Sequence, residues 1–79
     1  MACDHKEVLD LAKAGNWEEA HALVQVPGDA LSCQIHGYLH RVEGDLSNAS
    51  YWYSRGKTSV PKNTLDEEFD RLTAKLADA

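Results

Sequence analysis

The chain has 79 residues and a formal net charge of −5 with its four histidines neutral. That length fits one small domain and excludes doubly wound nucleotide folds, barrels and two-domain enzymes. Hydrophobic residues make up 43% of the chain, enough for a packed core, and no apolar run reaches the ~20 residues that a membrane span needs.

Ala and Leu together number nineteen, Ile and Val six. This bias favours helix, because β-branched side chains lose rotamer freedom there. Asp4 and Glu7 have capping-box spacing and open a first helix to about Ala14, with Val8, Leu11 and Ala12 as its stripe and Gly15 as its stop. Asn16, with Glu19 as reciprocal partner, opens a second from Trp17 to about Gln25, broken by Pro27-Gly28. A third follows Asp29 and runs to Glu43, before Gly44. Asp45 caps a fourth, Leu46 to Arg55, which Gly56 ends. Residues 57–63 read as a loop. Thr64 and Glu67 form a capping box for a fifth helix to about Ala77, whose Leu65, Phe69, Leu72 and Leu76 make an amphipathic stripe. No window alternates with period two, so no strand is expected. The prediction is an all-α domain: a helical hairpin over residues 4–26, a second over 29–56, and a closing helix over 64–77.

Charge is unevenly placed. Residues 1–33 carry a net of −4, residues 34–62 a net of +2, and residues 63–79 a net of −3. Four cations between acidic ends make a poor phosphate-binding face, so no nucleic-acid partner is expected. The N-terminus has no apolar h-region, and Cys3 and Cys33 are too few for a disulfide framework; a cytoplasmic protein with reduced thiols is expected.

An internal repeat is visible. Ala14-Gly15-Asn16-Trp17-Glu18-Glu19-Ala20 aligns with Glu43-Gly44-Asp45-Leu46-Ser47-Asn48-Ala49, 29 positions later. In each unit a helix ends, Gly turns the chain, Asn or Asp caps the next helix, and a small Ala permits close helix packing. In these residues, with Gly37, Tyr53, Gly56 and Pro61, the sequence resembles the tetratricopeptide repeat over about residues 4–61, although the unit is shorter than that family's usual ~34 residues. The stretch from Ile35 to Leu46 with Tyr51-Trp52-Tyr53 also resembles small bacterial helical proteins of uncharacterised function, which implies a bacterial origin and no particular activity.

The repeat resemblance implies a non-enzymatic module that binds a protein or peptide in a groove lined by Leu9 and Lys13 of the first unit and Gln34, Tyr38 and Arg41 of the second. His5, Leu9, Gln34 and Tyr38 stand where the branch that grips a C-terminal carboxylate uses Lys and Asn, so that activity is not transferred. Alternatively, this surface is closed by the fifth helix, or the fifth-helix stripe pairs two copies in a homodimer.

The third helix carries the residues with chemistry. Leu31, Ile35, Tyr38, Leu39 and Val42 share one face; Cys33, His36, Gly37 and His40 share the opposite one at about 100° per residue. The plainer reading, and the one the sequence favours, is a packed face whose histidines are hydrogen-bonded in the core, Glu43 being one partner. The alternative is a metal site of Cys33, His36 and His40, with Glu43 as a further ligand or an orienting group. One helix supplies at most two or three ligands, and His5 and His21 read as isolated and exposed. A catalytic Cys33–His36 pair lacks an oxyanion hole and a third orienting group, so no enzyme activity and no cofactor are expected.

Overall fold

A computed structural model describes residues 4–77. Cys3 lies outside the described residues. Five helices follow in order: α1 (His5–Lys13), α2 (Trp17–Val24), α3 (Ala30–Val42), α4 (Leu46–Arg55) and α5 (Leu65–Ala77), with no strand among the described residues. The all-α expectation holds, and the element boundaries fall within a residue or two of it.

The local reason for these boundaries is capping. Free N–H groups at each helix start need acceptors. Asp4 accepts from Glu7 N at 3.1 Å, Asp29 from Ser32 N at 3.1 Å and Asp45 from Asn48 N at 3.2 Å. Thr64 and Glu67 make the full reciprocal box, at 3.1 and 2.9 Å. Asn16 is the exception: its side chain makes no capping bond, so the expected partnership with Glu19 is not formed. Gly15 and Gly44 have φ of +86° and +85°, a left-handed turn that Gly adopts without a Cβ penalty. After α4 the left-handed residue is Lys57, at φ 65°, not Gly56.

α3 is the axis of the fold. It packs against each of the other four helices, most extensively against α4. Its residues from Ser32 to His40 are buried without a break. The close approach of α4 depends on Gly37, where a Cβ would come within 2.6 Å of the Tyr53 ring and 3.1 Å of the Ala49 carbonyl. The core comprises Val8 and Leu9 of α1, Ala20 and Val24 of α2, Ile35, Tyr38 and Leu39 of α3, Ala49 and Tyr53 of α4, and Leu72 of α5. Leu46, which stands where Trp17 does in the repeat alignment, is 63% exposed.

α5 packs on α1 and α3. Phe69, Leu72 and Leu76 face the core, while Leu65 at the start of the stripe is exposed. A polar network completes the join. The buried Glu68 carboxylate accepts from Tyr53 Oη at 2.7 Å, Asn63 Nδ2 at 3.0 Å, and Arg71 Nε and Nη2 at 2.6 and 2.7 Å. Burial alone would raise its pKa; the bonds from Arg71, Asn63 and Tyr53 outweigh that and hold it below the usual carboxylate value.

Candidate functional site: a histidine cluster between α2 and α3

Four of the five groove residues named by the repeat resemblance are engaged within the chain. Leu9 is buried in the core, and Tyr38 lies against Phe69 with ring centroids 6.2 Å apart. Gln34 Nε2 donates to the Gly56 carbonyl at 3.0 Å, and its Oε1 accepts from Arg71 at 3.2 Å. Arg41 donates to the Asn63 side chain at 2.9 Å and to its carbonyl at 2.6 Å. Lys13 is exposed, with Nζ 5.9 Å from the Phe69 ring centroid. α5 packs on part of this face, and a cleft of about 500 Å³ remains there, lined by Ala12, Lys13, Tyr38, Asp66, Phe69 and Asp70.

The opposite face of α3 holds the chemistry. His36 and His40, one turn apart, point from α3 toward α2, where His21 meets them. One nitrogen from each of His21, His36 and His40 lies within 4.8 Å of the others. His21 Nε2 is 3.0 Å from His36 Nε2. His40 Nδ1 is 2.5 Å from Glu43 Oε1, which leaves its Nε2 for the cluster. His36 Nδ1 is buried and has no hydrogen-bond partner.

Two indoles wall the cluster. Trp17 stacks on His21 at 4.7 Å, and its Nε1 donates to the Leu39 carbonyl at 2.7 Å. Trp52 stacks on His36 at 3.8 Å. Burial, and then the neighbouring His21, His40 and Arg55 charges, lower the His36 pKa to about 4. Burial lowers that of His21 too. His36 is therefore a neutral imidazole at pH 7, the form that ligates metals.

The cluster differs from the one expected in two residues. Cys33 does not join it in the sense proposed: its Sγ rests 4.0 Å from the Gly28 carbonyl, a weak S–H contact, and burial pushes the thiol pKa up. That is the environment of an inert structural thiol rather than a nucleophile. His21, read as isolated and exposed, supplies the third nitrogen instead. The signal for it was present: His21 lies four residues after Trp17 and one after Ala20, on the α2 face that turns inward. His5 is not isolated either, lying 3.0 Å from both Asp29 Oδ2 and Ser32 Oγ. A second group, His40, Glu43 and Asp45, is also closely spaced. Its Asp45 carboxylate is committed to α4, bonded to Asn48 N and, at 2.6 Å, to Asn48 Nδ2.

No described helix is long and apolar enough to cross a membrane. No family model, no curated protein and no solved structure matches this chain.

Proposed function

We propose that this protein binds a divalent transition-metal ion of the zinc class through His21, His36 and His40, without catalysing a reaction. The observation that carries this reading is the convergence of three imidazole nitrogens within 4.8 Å. A tetrahedral ion with Zn–N of about 2.0–2.1 Å sets its ligand nitrogens about 3.3 Å apart. The 3.0 Å between His21 and His36 nearly meets that spacing, and the other separations, at most 4.8 Å, would close by side-chain rotation of His40 as well as His21. Imidazole ligands without a thiolate or carboxylate suit Zn, Cu and Ni over Mg or Ca. Glu43 behind His40 is the carboxylate that orients a ligating histidine.

Titration of the isotopically labelled protein with Zn²⁺, followed at the imidazole resonances, tests the site. One equivalent is expected to shift or broaden His21, His36 and His40 together, and His36→Ala or His40→Ala to abolish tight binding. No perturbation of these rings at micromolar Zn²⁺ would sink the reading.

A second reading keeps the protein-interaction module that the repeat resemblance implies, on a different surface. A cleft of about 470 Å³ between α1 and α2 is lined by Leu11, Ala22 and Leu23 and rimmed by Glu7 and Glu19. Its chemistry suits an amphipathic helix with basic flanks. Paired Glu7→Lys and Glu19→Lys changes would then abolish binding of a Leu/Lys helical peptide while leaving Zn²⁺ binding intact.

A further inference from the structure

We infer that the ion held by His21, His36 and His40 also acts as a clamp on α2, so that metal loading controls whether this helix is ordered against α3. The inference rests on the metal-binding reading above and assigns it a consequence for the chain's own structure.

α2 is the shortest helix of the fold and has little to hold it locally. It has eight residues, below the ~12–15 at which an isolated helix becomes even marginally stable. Asn16 gives it no side-chain cap, whereas Asp4, Asp29, Asp45 and Thr64 all bond to the first turns of their helices. It buries Ala20 and Val24 and packs on α1 and α3. Its polar ties to α3 are the Trp17 indole bond to the Leu39 carbonyl and the contact between His21 and His36.

The three nitrogens are unequally placed. His36 and His40 stand on α3, which is held by four neighbours and buried over this stretch. Only His21 comes from α2. The α3 pair is therefore in position whether or not α2 is docked, and completing the coordination requires α2 to close. An opening of α2 that withdraws His21 must break a metal bond. At an ion concentration ~100 times the dissociation constant, such openings become up to ~100-fold rarer, less any affinity that the α3 pair retains alone. Openings elsewhere that leave the three rings in place are not suppressed.

The test is amide hydrogen exchange on the full chain, in EDTA and with saturating Zn²⁺, beside a direct binding isotherm. In EDTA the α2 amides, such as Ala20 and Val24, are expected to exchange about tenfold or more faster than those of α4. With Zn²⁺ that gap closes. In His21→Ala, which keeps the α3 pair, Zn²⁺ binds more weakly and the gap persists even at saturation. If Zn²⁺ binds the unaltered protein and the gap between α2 and α4 does not change, or if no gap exists in EDTA, the clamp is wrong and the metal site stands. If the isotherm shows no binding, the metal site and the clamp fall together.

Discussion

Glu43 sits three residues after His40 and places a carboxylate oxygen 2.5 Å from its Nδ1, on the side of the ring away from the histidine cluster. A carboxylate in that position fixes the imidazole tautomer so that Nε2 carries the free lone pair. Glu43 is 39% exposed, so replacing it disturbs no packing. Glu43→Gln is expected to weaken Zn²⁺ affinity about 10–100-fold and to leave urea stability within ~0.5 kcal/mol of the original. Competition against a chromophoric chelator measures the first and equilibrium unfolding the second. An affinity unchanged within about twofold would remove Glu43 from the site.

Gly37 explains how α3 and α4 approach so closely. A methyl group there meets Tyr53 ring carbons at 2.6 and 2.9 Å and the Ala49 carbonyl at 3.1 Å. Tyr53 is fully buried and tied to Glu68, so its ring has little freedom to yield. Gly37→Ala should destabilise the fold by about 1–3 kcal/mol, the usual range for overpacking, despite the better helix propensity of Ala. Urea unfolding at neutral pH is the measurement, and a neutral or stabilising result would show that the helix pair can separate without cost.

Glu68 is the buried charge on which α5 depends. Its folded pKa lies below the ordinary value of 4.5, because the bonds from Arg71, Asn63 and Tyr53 outweigh the effect of burial. For a depressed carboxylate, the unfolded chain binds more protons than the folded one as pH falls through the unfolded pKa. The contribution is thus fully present above pH ~4.5 and is lost as pH falls below it. Glu68→Gln should cost about 2 kcal/mol at pH 7, since the Arg71 guanidinium loses its counter-charge but is partly solvated. The difference between the two proteins should then shrink between pH 5 and pH 3 in urea titrations, roughly over the range where the carboxylate takes up its proton. A difference that does not change across this range would mean that the charge of Glu68 does not matter.

The helices are legible in the sequence because their signals are local. Asp4, Asp29, Asp45 and Thr64 each cap within three residues, and Gly15 and Gly44 turn the chain where a left-handed residue is needed. Leu72 and Phe69 likewise announce the inner face of α5. Relations across the chain are not local, and there the reading falls short. Ring stacking by Trp17 and the proximity of α3 draw His21 inward, against an acidic flank that suggests exposure. Leu46 has the apolarity and spacing of a core residue and is left in solvent, because α4 spends its packing on Ala49 and Tyr53. Periodicity shows that α3 has two useful faces. Which face meets α5 and which meets α2 depends on the paths of residues 25–29 and 56–64, which carry no such code.

Arg41, a residue of the groove implied by the repeat resemblance, is bonded within the chain. An Arg free in a groove would recognise an acidic ligand. Here its guanidinium grips Asn63 through both the side chain and the carbonyl, and Asn63 in turn donates to Glu68. Asn63 immediately precedes Thr64, the cap of α5, so Arg41 fixes the point from which that helix departs. Arg41→Ala should therefore destabilise the protein by about 1–3 kcal/mol, as two charge-assisted bonds are lost and a partly buried carbonyl is left unpaired. The loss should appear first as faster amide exchange in α5, at Phe69 and Leu72, because α5 is the element released. Arg41→Lys should recover only part of it, since a single ammonium cannot reproduce a planar fork across two acceptors. If instead Arg41→Ala left both unfolding and α5 exchange unchanged, the guanidinium would be free to serve an outside ligand, and the groove implied by the repeat resemblance would regain its claim to this face.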